Sequence, residues 1–123
     1  MAESVDEKVL QILGELDSWM NNPEIPDEAD PRVCLLEPLS RKMGFVIVDA
    51  EFLAKKFNAN RRNAEIFLKW QEEYWIYRDY EFLGYIYFPE ENLYCVLLAY
   101  FMHGKYNATA DVFKEKHIAR WVI

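Results

Sequence analysis

The chain has 123 residues, two cysteines and a formal net charge of −7, and 52% of its residues are apolar and 16% aromatic. That is enough chain to bury a core without disulfides or metal, and it is too apolar for a disordered segment. No apolar run approaches the roughly 20 residues that span a bilayer, and the start MAESVDEK has no basic stretch leading into an apolar one. The expectation is one domain, 1–123, cytoplasmic, with no membrane partner and with Cys34 and Cys95 as reduced, buried thiols.

Ser4 and Glu7 form a capping box ahead of Val5, Val9, Ile12, Leu13, Leu16 and Met20. That spacing predicts a helix over residues 1–20 with one apolar stripe. Residues 21–30 are polar, acidic and proline-bearing, and read as an exposed linker. Asp30 and Pro31 open a second helix over residues 31–43, which Pro38 should bend or split and Gly44 should close. Phe45 to Val48 reads as a short strand. Asp49 can cap a compact helix ending at Phe57. Asn58 and Asn60 flank Ala59 in a tight turn, since asparagine tolerates the left-handed conformation and can cap the next helix.

Residues 60–75 form the next predicted helix, with Ala64, Phe67, Leu68 and Trp75 on one face and Arg61, Arg62, Glu65 and Lys69 mainly on the other. Ile76 to Arg78 and Tyr85 to Phe88 look like two arms of an aromatic hairpin, with turn chemistry between Asp79 and Gly84. Pro89-Glu90-Glu91 resembles a first helical turn, and the run from Leu93 to His103 is apolar nearly all round. It is assigned to a deeply buried or shared helix, although the same run also reads as one long strand. A last helix is expected over Ala108 to Trp121, so residues 89–123 are taken as C-terminal helices.

Charge is unevenly distributed. Residues 1–31 hold nine acids and one base, whereas the other 92 hold 12 acids and 13 bases. Lys55, Lys56, Arg61, Arg62 and Lys69 face one acid, Glu65, within residues 55–69. A local patch governs attraction to phosphate, because the Debye length is about 8 Å at physiological salt.

The element order from 31 to 88, with the segment FLAKKFNANRRNAEIFLKW, resembles the winged helix-turn-helix superfamily. The resemblance implies an α+β, mainly helical fold: a winged-helix core at 31–88 with extra N- and C-terminal helices. It further implies double-stranded DNA as partner, in a transcriptional regulator of cellular or viral origin. Arg61, Arg62 and Asn63 would then meet base edges, Asn60 would open the recognition helix, and Lys55, Lys56 and Lys69 would lie near phosphates. Leu93, Val96, Leu97, Tyr100 and Phe101, in surplus to the core motif, suggest a homodimer or partner interface.

Two other functions suit the same residues: a winged-helix protein-interaction module, and an acidic inhibitor of a nucleic-acid-binding protein that uses Asp6, Glu7, Asp17 and Asp27. Tyr80, Phe82 and Tyr85 offer a protein-binding wing tip. No GxSxG, phosphate loop, HExxH or paired catalytic carboxylate motif occurs, and Cys34, Cys95, His103 and His117 lack paired ligand spacing. Neither enzyme activity, a cofactor nor a metal is expected.

Overall fold

The computed structural model describes residues 4–123. Residues 1–3 of the predicted N-terminal segment, Glu3 among them, lie outside the described residues. Helix α1 spans Val5–Met20 and starts with the Ser4 half of the predicted capping box, the Ser4 hydroxyl accepting from the Glu7 amide at 3.2 Å. A π-helical segment, Arg32–Leu36, runs directly into α2, Glu37–Met43. Pro38 supplies the physical reason for this change of pitch. It has no N–H, its ring crowds the carbonyl four residues back, and the widened turn places the Glu37 amide on the Arg32 carbonyl. Gly44, at φ +77°, ends α2.

Strand β1 is only Val46–Ile47, and α3 covers Ala50–Lys56 with Asp49 Oδ1 accepting from the Phe52 amide at 2.7 Å. The two asparagines behave as expected. Asn58 takes φ +50°, and Asn60 caps α4, Arg61–Tyr77, by accepting from the Arg62 amide at 2.7 Å.

Beyond Trp75 the structure departs from the sequence reading. Ile76 and Tyr77 continue α4 and do not form a hairpin arm. The chain then runs through β2 (Glu81–Phe88), β3 (Leu93–Met102) and β4 (Lys105–Lys114) to α5, Glu115–Val122. Residues 89–123 are therefore mostly a strand pair, not the C-terminal helices expected. Pro89 to Asn92 make a hairpin turn instead of a helix start. His103 and Gly104, both with positive φ, form the two-residue turn that joins β3 to β4.

The four strands form one antiparallel sheet in the order β1-β2-β3-β4. Both faces of its central strands are covered, which explains why their sequence is a near-continuous apolar run with no alternation. On one face Val9, Ile12 and Leu16 of α1, with Leu36, Leu39 and Phe45, pack on Leu83, Ile86, Phe88, Cys95, Leu97 and Ala99. On the other, Leu53 of α3, Ala64, Phe67 and Trp75 of α4, and Ile118 and Val122 of α5 pack on Tyr85, Tyr87, Tyr94, Val96 and Leu98.

A β-bulge between Phe82 and Gly84 shifts the alternation by one residue. It brings Gly84 beneath the π-helical turn, where a Cβ would lie 3.3 Å from Leu36 Cδ1. The architecture is thus α+β, about half helical, with helices on both sides of the sheet. Among the described residues no helix is long and apolar enough to cross a membrane.

Strand β4 is an edge whose outward backbone groups α1 covers in part. Asn21 both donates to the Tyr106 carbonyl and accepts from its amide, each at 2.9 Å, while Asp17 Oδ1 accepts from the Ala108 amide at 2.7 Å. Two polar side chains at the end of one helix thereby blunt one end of an exposed edge.

Candidate functional site

Helices α3 and α4 follow one another across the Asn58–Asn60 turn, and three of the five basic residues expected to meet DNA are engaged within the chain. Lys55 pairs with Glu51 at 3.0 Å and Arg61 with Glu65 at 3.3 Å, both across one helical turn. The Lys55 ammonium holds the Glu51 carboxyl below its ordinary pKa. Lys56 Nζ lies 3.0 Å from Glu115 and 5.0 Å from the centre of the Tyr87 ring. The Tyr87 hydroxyl and Glu115 carboxylate raise its pKa, so Lys56 ties α3 to the start of α5.

Arg62, Asn63 and Lys69 are exposed, and neither Arg62 nor Lys69 has an acidic partner within 4.0 Å among the described residues. Residues 49–79 carry six bases and six acids. Residues 49–79 are thus neutral overall, and with Lys55, Lys56 and Arg61 paired to carboxylates, Arg62 and Lys69 are what is left of the five-base patch that the spacing suggested.

The residues expected at an interface are distributed through the sheet. Val96 and Leu97 are fully buried on opposite faces, Leu93 and Tyr100 are half-buried, and Phe101 is exposed beside Tyr106 with ring centres 5.1 Å apart. Of the apolar run that suggested a shared helix, Tyr94 to Ala99 are used up by the two cores, while Phe101 and Met102 stay exposed. The expected wing tip is absent for the same reason: Tyr85 is buried, and Tyr80 and Phe82 are half-buried. Cys95 is buried, but Cys34 is exposed, contrary to expectation. Exposed His103 sits in the β3–β4 turn and exposed His117 on α5. Among the described residues no three metal-binding side chains come together.

The sequence reading did not single out the outer face of α4 as a surface of its own. Ile66, Trp70, Tyr74 and Tyr77 follow one another at four, four and three residues and are all exposed, Trp70 at 55% and Tyr77 at 88%. They form a second apolar stripe beside the one that packs on the sheet through Ala64, Phe67 and Trp75. Arg78 lies over the Tyr74 ring, 5.5 Å from its centre. The signal was present in the sequence, since the spacing 66, 70, 74, 77 is helical in its own right. Extending the helix by two residues would have brought Tyr77 into it.

Two clefts flank α4. One, of about 290 Å³, runs between α4, β4 and α5 and is lined by Phe67, Gln71, Tyr85, Phe113, His117 and Trp121. The other, of about 320 Å³, lies toward β1 and is lined by Arg32, Asp49, Glu65, Lys69 and Glu72 over Phe82 and Tyr85. Beneath α4 the hydroxyls of Tyr85 and Tyr94 and the indole N–H of Trp75 are buried without a hydrogen-bond partner in the chain. Burial raises both tyrosine pKa values well above the ordinary range. Neither cleft gathers a nucleophile with a base and its orienting group, the arrangement from which covalent or acid-base catalysis would be argued.

Comparison with protein families, curated proteins and solved structures finds no match.

Proposed function

We propose that the chain is a protein-interaction module that docks its partner on the outer face of α4. The exposed stripe Ile66, Trp70, Tyr74 and Tyr77 carries the reading. Isolated exposed apolar residues are ordinary, but four large ones in one helical row, three of them aromatic, have the composition of the centre of a protein interface. Aromatic side chains of this kind supply most of the binding energy where they become fully desolvated. The proposed setting is intracellular, where an exposed thiol such as Cys34 stays reduced.

The test is capture of a stoichiometric protein partner that survives nuclease and high salt, with the wild type compared against a Trp70→Glu, Tyr77→Glu variant. Loss of the partner with the variant's circular dichroism unchanged is the expected result. Equal capture by both proteins would remove α4 from the interface.

DNA binding in the manner of a winged helix is the second reading. Its support is the α3-turn-α4 pair, the exposed Arg62, Asn63 and Lys69, and the position of acidic α1 across the sheet from them. If it holds, wild type binds duplex DNA with a strong salt dependence, and Arg62→Ala with Lys69→Ala flattens the salt slope by about two charges. Anisotropy titration at two salt concentrations decides it. A wild type with no salt-dependent binding to any duplex ends this reading. The acidic-inhibitor alternative is the weakest of the three, since Asp17 is committed to the β4 edge.

A further inference from the structure

We infer that the partner seated on α4 is a second copy of this chain, packed antiparallel about a two-fold axis that passes beside Trp70. The inference rests on α4 being a docking face and adds what docks there. The first observation is the symmetry of the stripe. Ile66 lies four residues before Trp70 and Tyr74 four residues after it, so in an antiparallel pair Trp70 meets its own copy and each Ile66 meets a Tyr74. A row spaced by four residues is the ridge that fits between the same ridges of another helix, with axes crossing at about −50°.

The second observation is the charge beside the stripe. Lys69 and Glu73 are both exposed and lie one turn apart on the same side of α4, yet they do not pair with each other or with any other described residue. Lysine preceding glutamate by four is the less favourable order for pairing within one helix. In the two-fold arrangement the same flank of each helix faces itself, so each Lys69 comes within two residues' rise of the other copy's Glu73, and these two opposite-charge pairs outnumber the single approach of Lys69 to its own copy near the axis. An isologous interface requires this self-complementarity, whereas an unrelated partner does not. The like-charged Arg62 and Arg78 fall toward the ends, where helices crossing at that angle diverge.

The contact is modest. A helix of 17 residues is about 25 Å long at 1.5 Å per residue, and one face of it buries less than the roughly 800 Å² per partner of a standard interface. The dimer is therefore weak and depends on concentration.

Sedimentation equilibrium of the full chain tests it. Wild type should shift from 14.7 kDa toward twice that mass as concentration rises. Trp70→Glu should stay monomeric while keeping its circular dichroism and thermal midpoint. Lys69→Glu and Glu73→Lys should each weaken self-association roughly tenfold, through like charges facing across the axis. An equimolar mixture of those two variants should dimerise at least as well as wild type, because each then supplies the charge the other lacks. A loss of structure in either variant would not be repaired by mixing.

A wild type that remains monomeric to about 0.5 mM overturns the second-copy inference, as does a mixture no tighter than either variant alone. Neither outcome touches the broader docking reading, which falls only if the Trp70→Glu, Tyr77→Glu protein still captures its partner.

Discussion

Helices α1 and α4 are nearly equal in length and lie on opposite faces of the same sheet, yet they use their outer surfaces in opposite ways. Each buries one stripe, Val9, Ile12 and Leu16 in α1 and Ala64, Phe67 and Trp75 in α4. Outside that stripe α1 carries carboxylates, and its end is turned to structural work, with Asp17 and Asn21 holding the β4 edge. Outside its stripe α4 carries Ile66, Trp70, Tyr74 and Tyr77, all exposed, with only Tyr74 edge-on to a core ring, that of Trp75 at 5.0 Å. An amphipathic helix needs one apolar stripe to fold onto a sheet, and a second one is left to explain by binding.

The layers beneath also differ. The α1 side is mainly aliphatic, while the α4 side stacks Tyr85, Tyr94 and Tyr87, with ring centres 5.8 and 4.5 Å apart, and leaves two of their hydroxyls unpaired.

The largest effect should come from the inner stripe of α4. Phe67→Ala is expected to cost about 3–5 kcal/mol in urea unfolding, and Leu16→Ala on α1 about 2–5 kcal/mol. Trp70→Ala at the outer stripe should change stability by no more than about 0.5 kcal/mol at concentrations where the chain is monomeric. A Trp70 cost near that of Phe67 would abolish the distinction between the two stripes.

Alkaline pH should also weaken the fold. Burial, with Asp111 as the lesser cause, pushes the Cys95 thiol up to about 12, and burial raises the Tyr85 and Tyr94 hydroxyls as well. In the unfolded chain these groups ionise near their ordinary values of about 8.5 for cysteine and 10 for tyrosine. Between those values and the raised ones the unfolded state binds fewer protons than the folded state, so stability falls as pH rises, by about 1.4 kcal/mol per pH unit for each group fully in that window. Urea unfolding at pH 7, 9 and 10.5 checks this, and a flat profile would contradict the burial of all three. At pH 8 an alkylating reagent should modify exposed Cys34 and leave Cys95 intact.

A smaller effect separates the ends of the two helices. Asp17→Ala leaves the Ala108 amide without its carboxylate and should cost about 1–3 kcal/mol, with faster hydrogen exchange at Ala108. Unchanged exchange there would mean that α1 does not guard the edge. The smallest change expected is Tyr85→Phe, which removes a buried hydroxyl without a partner and should be neutral or stabilising by up to about 1 kcal/mol. A loss above that would show the hydroxyl to be hydrogen-bonded in solution.

Local chemistry was legible in the sequence at the helix caps and at the turns before α4, though not at Pro89 to Asn92, where a first helical turn was expected and a hairpin turn forms. The Ser4, Asp49 and Asn60 caps, the left-handed Asn58 and Gly44, and the interruption at Pro38 all follow from groups that satisfy or block the nearest backbone amides. Such features do not depend on what packs above them. The basic patch was only half legible, because Glu51 and Glu65 lie in the same helices as Lys55 and Arg61, but Glu115 reaches Lys56 from 59 residues away.

Tertiary structure alone decided the run from Leu93 to Met102. A doubly buried strand and a buried helix share the same unbroken apolar pattern, and period carries no information when both faces are covered. The hairpins with β2 and β4, and the helix layers on either side of the sheet, select the strand. The same packing withdrew Val96 and Leu97 from any interface. It left the row from Ile66 to Tyr77 outside both cores, because α4 turns its other stripe, Ala64, Phe67 and Trp75, onto the sheet.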